Sequence, residues 1–417
     1  MSIKNAILFF SSVLFVVNAQ AADTLKINLQ QADSLFLVHN YYLLASSLKV
    51  EAQEAQIVQA KLYPNPIFST LLTAYDPVND KAFHVNSTGH KEFQLEQLLV
   101  LGGKRKSSIA IAELDAKIAL LEFHRLVQQL KFQLHNDLYK LRQQQILLDR
   151  YSEQLSLLDT ILTAHEAQVA KGNIPLQELV RLKGVYLNLN NERATLLTDY
   201  LQVQSNLQIL LHTTKPVLFE HSKHDVDKYL KTQEFDRLLN EALVHQPNLL
   251  IAQQEVALAS QHWQYQKRMA IPDINLFVGY DQRSGAFDNQ INAGIAIPLP
   301  IWDRNQGNIK SSALRLKATQ YLLEAHEIEL IVELQNTLTV YEHAMSEYQK
   351  AMTLYNEDFD ITFNGMLTNF KKRNISLIEF VDFFEAYNDV LAEMGRITTH
   401  LVQAAEQLNL LVGKEVF

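Results

Sequence analysis

Residues 78–174 and 301–417 contain none of the chain's nine prolines, and each stretch carries an apolar residue at every seventh position. In the first, the row is Leu120, Val127, Leu134, Leu141, Leu148, Leu155, Leu162 and Val169. A second row of Phe123, Leu130, Tyr151 and Leu158 supports it, broken at Asp137 and Gln144. In the second stretch the row is Ile331, Leu338, Met345, Met352, Phe359 and Met366, flanked by Leu334, Tyr341, Tyr348 and Tyr355. An apolar repeat of seven kept over so many turns specifies helices packed as in coiled coils. A helix from about Lys104 to Gln168 would be roughly 97 Å long at 1.5 Å per residue, longer than an ordinary domain is wide.

The chain also repeats itself. Lys106-Ser107-Ser108 recurs as Lys310-Ser311-Ser312, and Lys171-Gly172-Asn173-Ile174-Pro175-Leu176 recurs as Lys372-Arg373-Asn374-Ile375-Ser376-Leu377. Leu62-Tyr63-Pro64 matches Ala270-Ile271-Pro272, and Leu207–Leu211 matches Leu408–Val412. Repetition at this scale predicts two copies of one supersecondary unit. The first covers 22–212, with a strand hairpin near 66–99, a long helix near 104–168 and a returning helix near 176–211. The second covers 234–417, with a hairpin near 273–299, a long helix near 307–370 and a returning helix near 376–412; a polar linker at 213–233 joins them.

Each proline break is followed by extended segments. Ile291, Ala293, Ile295 and Ile297 alternate with Gln290, Asn292, Gly294 and Ala296. Ile274, Leu276, Val278 and Tyr280 alternate in the same way, as do Phe93 and Leu95 against Glu92, Gln94 and Glu96. This period of two marks strands with one apolar face, and lengths of about 9–11 residues suit tilted membrane strands. Ile67 to Asp76 alternates poorly. Four strands cannot close a barrel, because the smallest membrane barrels use about eight. Open edges are not tolerated in lipid, so three copies making twelve strands are expected.

Residues 1–21 have the form of a cleaved export signal: Lys4, an apolar run from Ala6 to Val17, then small residues at Ala19 and Ala21. Beyond it no run is long and apolar enough for a membrane helix, so any crossing must be a β-barrel. With no cysteine in the chain, disulfides, thiolate metal sites and a lipid-anchored N-terminus are excluded. A net charge of −9 argues against nucleic-acid binding. No P-loop, G-x-G-x-x-G element or G-x-S-x-G elbow is present, which leaves an enzyme reading without residues and implies no cofactor.

Three segments resemble the TolC family of outer-membrane efflux proteins: Leu62-Tyr63-Pro64-Asn65-Pro66, Leu101-Gly102-Gly103-Lys104-Arg105, and the run Ile297-Pro298-Leu299-Pro300-Ile301-Trp302-Asp303-Arg304-Asn305-Gln306-Gly307-Asn308. The last is similar to the strand-to-helix junction of the CzcC-like heavy-metal branch, with Pro298, Pro300, Asp303, Arg304, Asn305 and Gly307 as its marks. The resemblance implies a mainly α protein with a membrane β-barrel part. It implies a homotrimer whose twelve-stranded barrel sits in outer-membrane lipid above an α-helical periplasmic tunnel. A periplasmic adaptor and an inner-membrane resistance-nodulation-division (RND) transporter would be its partners, and heavy-metal cations its cargo. Multidrug efflux or type I secretion is the alternative cargo reading. A structural periplasmic coiled coil or an adaptor is the alternative of another class, and paired amphipathic hairpins argue against it.

The resemblance also assigns the turns between long and returning helices to the periplasmic entrance. Glu379 and Asp382, three residues apart on one helical face, match the family's constricting acids. Arg373 stands where many members have glycine; a solvated helix start is the competing account of all three. In the first repeat Gly172 and Glu178 are kept and Arg181 replaces the second acid, so that turn is expected to dock the adaptor. The run Glu220-His221-Ser222-Lys223-His224-Asp225-Val226-Asp227 is read as a solvated loop, and His124, His135 and His165 as structural residues scattered on helix surfaces. No metal site is assigned.

Overall fold

The computed structural model describes residues 24–220, 225–283, 286–355 and 358–417. The signal segment and His221 and His224 lie outside them. Two long helical hairpins dominate. Helix α3 (Lys104–Ala170) has 67 residues, about 100 Å at helical rise, and returns through α4 (Leu176–Leu210). Its upper half packs on α2 (Tyr41–Lys61), which follows the short α1 (Leu29–His39), and on α6 (Pro247–Met269), which follows α5 (Phe235–His245). In the second repeat, α7 (Gln306–Leu354) packs on α6 above and on α9 (Leu377–Val412) below, and α9 also lies against α3.

The second long helix is not continuous. It ends at Leu354, and α8 (Asp358–Lys371) continues the descent. Which heptad row is buried also differs between the helices. In α3, Leu134, Leu141, Leu148 and Leu155 are buried as the spacing predicts. In α7 the flanking row wins: Leu334, Tyr341 and Tyr348 are buried with Leu338, while Ile331 and Met352 stay exposed on the protomer. The Lys-Ser-Ser recurrence is out of step, since Lys106 is the third residue of α3 and Lys310 the fifth of α7.

Two cores hold the hairpins. The lower one joins Leu158, Leu182 and Leu189 to Phe380 and Phe384. The larger, upper one contains residues of the linker. Strand β1 (Leu25–Ile27) pairs in parallel with β6 (Val217–Phe219), and a 3-10 turn follows at Asp227–Tyr229. Val217, Phe219, Val226 and Tyr229 are all buried. These four residues of the linker therefore belong to the core, Val226 among them although it lies in the run read as a solvated loop.

Four strands crown the helices: β2 (Ile67–Leu72), β5 (His90–Leu99), β7 (Ile274–Arg283) and β8 (Phe287–Ala296), in the order β2-β5-β7-β8, all antiparallel. Between β2 and β5 lies the small ribbon of β3 (Tyr75–Asp76) and β4 (Lys81–Ala82). Of the poorly alternating stretch Ile67–Asp76, the first six residues form β2 and the ribbon takes up only Tyr75 and Asp76. Among the described residues no helix is long and apolar enough to cross a membrane.

Candidate functional site

Opposed residues of an antiparallel pair point to the same side, so the register sorts the sheet into two faces. One row reads Phe68, Leu95, Val278, Ala293; the next reads Thr70, Phe93, Tyr280, Ile291. Rings of Phe68, Phe93 and Tyr280 run along this face with centroids 6.3 Å apart. The other face carries Glu92, Gln94, Glu96, Gly279, Asp281, Gln290 and Asn292. The apolar face has no cover in the protomer: Ile291 and Ile295 are 75 % and 64 % exposed. Both edges, β2 and β8, lack a neighbour among the described residues.

Below the sheet, both repeats enter their long helix through the same backbone device. The N-cap residues Gly103 (φ 72°) and Asn305 (φ 60°) are both left-handed, and their carbonyls accept from Ser107 N and Ile309 N at 3.1 and 3.0 Å. Glycine adopts this conformation freely; asparagine does so because its side chain bonds nearby backbone. Asn305 Nδ2 donates to Gln266 O (2.7 Å), and Asn305 N donates to Asp303 Oδ1 (2.8 Å). Arg304 N donates to Gln306 Oε1, closing the turn that Pro298 and Pro300 hold extended. A Cβ added at Gly307 would meet nothing within 4 Å, so no contact within the protomer requires glycine there. At the start of α3, Asp273 of the second repeat accepts through Oδ1 from Leu101 N (2.8 Å) and pairs with the buried Lys104 (2.8 Å), tying the two repeats together at this collar.

At the opposite end the two turns superpose in chemistry. Gly172 (φ 71°) and Arg373 (φ 61°) are both left-handed. Gly172 N donates to Val169 O and Asn173 N to Gln168 O; Arg373 N donates to Phe370 O and Asn374 N to Asn369 O. Arginine thus occupies a glycine conformation, at a cost of about 1–2 kcal/mol. Glu379 is engaged locally. Its carboxylate accepts from Ser376 N and Ser376 Oγ at 2.8 Å, a capping box whose backbone bond holds the carboxyl below the usual range. Asp382 faces its equivalent in the duplication, Arg181, at 3.2 Å. Glu178 lies in the first turn of α4, where Pro175 offers no side-chain cap.

Some groups carry no signal in the sequence. A cavity of about 250 Å³ between α4 and α9 is lined by Glu192, Glu385, Asp389, Asn188 and Asn388. Burial, then the charges of Asp389 and Glu385, raises the Glu192 carboxyl. Higher up, His135 is buried and not on a helix surface: its ring nitrogens lie 2.8 Å from Glu406 Oε1 and 2.9 Å from Asp33 Oδ1. His165 bonds Ile161 O and stacks on Phe370.

The model of the outer membrane efflux protein family matches residues 238–362. The chain is 24% identical over 416 residues to the cobalt-zinc-cadmium resistance protein CzcC of Cupriavidus metallidurans, covering 97% of this chain and 94% of that one. The chain is thus similar to outer membrane efflux proteins. The fold agrees with solved structures of such channels. It resembles CusC with a TM-score of 0.75 at 16% identity, covering 94% of both chains. It resembles the Campylobacter jejuni outer membrane channel CmeC with a TM-score of 0.74 at 12% identity, covering 93% of this chain and 85% of that one. The proteins that it resembles are outer-membrane channels.

Proposed function

We propose that this protein is the exit duct of a tripartite pump for divalent heavy-metal cations. It works as a homotrimer, coupled through a periplasmic adaptor to an inner-membrane RND transporter. The observation that carries the reading is the crown of four strands, two from each repeat, with one apolar face, one polar face and two unpaired edges. Only closure with further copies removes such edges, and three copies supply twelve strands. The apolar face then meets lipid and the polar face lines the lumen. Trp302, 86 % exposed just below β8, suits the inner headgroup boundary, where aromatic girdles lie. Residues 1–21 would direct export. The cargo reading is supported by the full-length likeness to CzcC and by the acids of the polar face. A strain deleted for this gene should lose resistance to cobalt, zinc and cadmium and regain it on complementation. Unchanged metal tolerance together with new sensitivity to apolar drugs would assign the duct to a drug pump.

Within that reading, Asp382 and Glu379 form the entrance constriction, held by Arg181 and flanked by Arg373, while the turn at Gly172 and Glu178 docks the adaptor. Three copies of each acid around one axis crowd like charges unless cations or basic groups lie between them. In planar bilayers, Asp382→Ala with Glu379→Gln, which keeps the cap, should raise single-channel conductance and abolish block by divalent ions. Parental conductance, selectivity and block would reduce these acids to a solvated helix start.

A further inference from the structure

We propose a divalent-metal site at the outer mouth of the barrel, built by His90 and Glu92 of β5 and Asp281 of β7. It rests on the polar face of the sheet being the lumen. The chain leaves α2 into β2 and enters α3 from β5, so His90 is at the end of β5 farthest from the helices, and Arg283 is likewise the far end of β7. His90 and Glu92 are two residues apart and share a face; Asp281 stands directly opposite Glu92. One ligand atom from each of the three residues lies within 4.8 Å of the others. His90 Nε2 and Asp281 Oδ1 are 3.4 Å apart, about the separation of two ligands on a tetrahedral ion with bonds of about 2.1 Å.

Two features distinguish this group from an ordinary polar patch. Glu92 and Asp281 are like charges in register, an arrangement that destabilises an antiparallel pair unless a cation lies between them. Asp281 Oδ1 is shielded from solvent and accepts no hydrogen bond, an acceptor left open beside the imidazole. Nearer the helices, the same lumen face shows the contrast. Glu96 accepts from Asn275 Nδ2 at 3.0 Å and also from Gln94, so its carboxylate is satisfied by neutral partners. Arg283 Nη2 lies 3.5 Å from His90 Nε2 and competes for the site when it is empty.

One imidazole and two carboxylates suit zinc and cobalt over calcium or magnesium, and three protein ligands leave a position open to water. An ion held there exchanges readily. The site is therefore a last station, from which an exported cation passes to the exterior when a water or an external ligand takes its place. Three such stations would ring the mouth of a trimer.

The test is zinc titration of the detergent-solubilised, metal-free trimer by calorimetry, with cobalt absorption reporting imidazole and carboxylate ligation. One zinc per protomer is expected, with calcium failing to compete at tenfold excess. His90→Gln, Glu92→Gln and Asp281→Asn should each weaken zinc at least tenfold, while His326→Ala, remote on α7, should not. Because Gln and Asn keep shape and polarity, heat-resistant trimer on a gel verifies assembly in each variant. Zinc binding that is absent, or unchanged in His90→Gln, overturns the proposal. The two readings separate cleanly. Metal sensitivity on gene deletion without zinc binding rejects this site alone, and zinc binding without metal sensitivity rejects the cargo reading alone.

Discussion

Replacing His135 with alanine is expected to destabilise the protein by about 3–5 kcal/mol, the usual cost of removing one partner from a buried ion pair. His135 donates to Glu406 and Asp33 at once and so joins α3 to both α9 and α1. Glu406 is nearly inaccessible and also accepts from Tyr229 Oη and, at 3.0 Å, from Asn409 Nδ2. Lys131 continues the network from Asp33 to Glu415 in the C-terminal strap. Burial alone would push the imidazolium's pKa down, but its hydrogen bonds to Asp33 and Glu406 outweigh this and lift it to about 9. Burial likewise pushes Glu406 up, and the hydrogen bond and charge of His135 hold it at about 2.

The sign of the pH dependence follows. The His135 contribution is complete below its unfolded value near 6.5 and is lost as pH rises through about 9. The Glu406 contribution is complete above about 4.5 and is lost as pH falls towards about 2. The melting temperature, followed by helical circular dichroism, should therefore be highest between about pH 4.5 and 6.5 and fall through pH 9. His135→Ala should melt lower at every pH and lose the alkaline decline. A variant that melts like the parent at pH 6 would show that the network adds nothing net. His135→Leu combined with Glu406→Leu should recover much of the loss, because no charge is then left buried and unpaired.

Ile291→Arg should remove most assembled trimer from the outer membrane. Ile291 stands opposite Tyr280 on the apolar face, midway along β8, and a cationic side chain at the midplane of a barrel's outer surface costs roughly 2–4 kcal/mol in each copy. Asn292→Arg, the next residue and on the polar face, should assemble normally because its charge meets water. The measurement is heat-modifiable trimer in outer-membrane fractions at equal expression. Equal yields of both variants would mean that the sheet's faces are reversed or that the strand does not cross the bilayer. Detergent-extracted parent protein that stays monomeric with channel activity intact would overturn closure by three copies altogether.

The long helices, the duplication and the two-faced strands were legible in the sequence because each rests on a short-range period. Leu134, Leu141 and Leu148 repeat by seven, and Phe93 and Leu95 alternate with acids by two; such spacing determines which side of an element is apolar wherever it ends up. The tip motif was legible for a related reason: Gly172 and Arg373 sit in matching strings, and a left-handed turn follows from local backbone bonding. What the sequence could not carry is the meeting of residues far apart in the chain. His135 looks like one more polar residue on a helix until Asp33 and Glu406 close on it. The linker's Phe219 and Tyr229 are too few to make a pattern, yet they complete the upper core. Glu92 and Asp281 face each other only because β5 pairs with β7 in one register out of several. Tertiary structure alone decided these, since the energy of a buried charge, a filled core or a ligand pair depends on distance in space, and separation along the chain does not contain it.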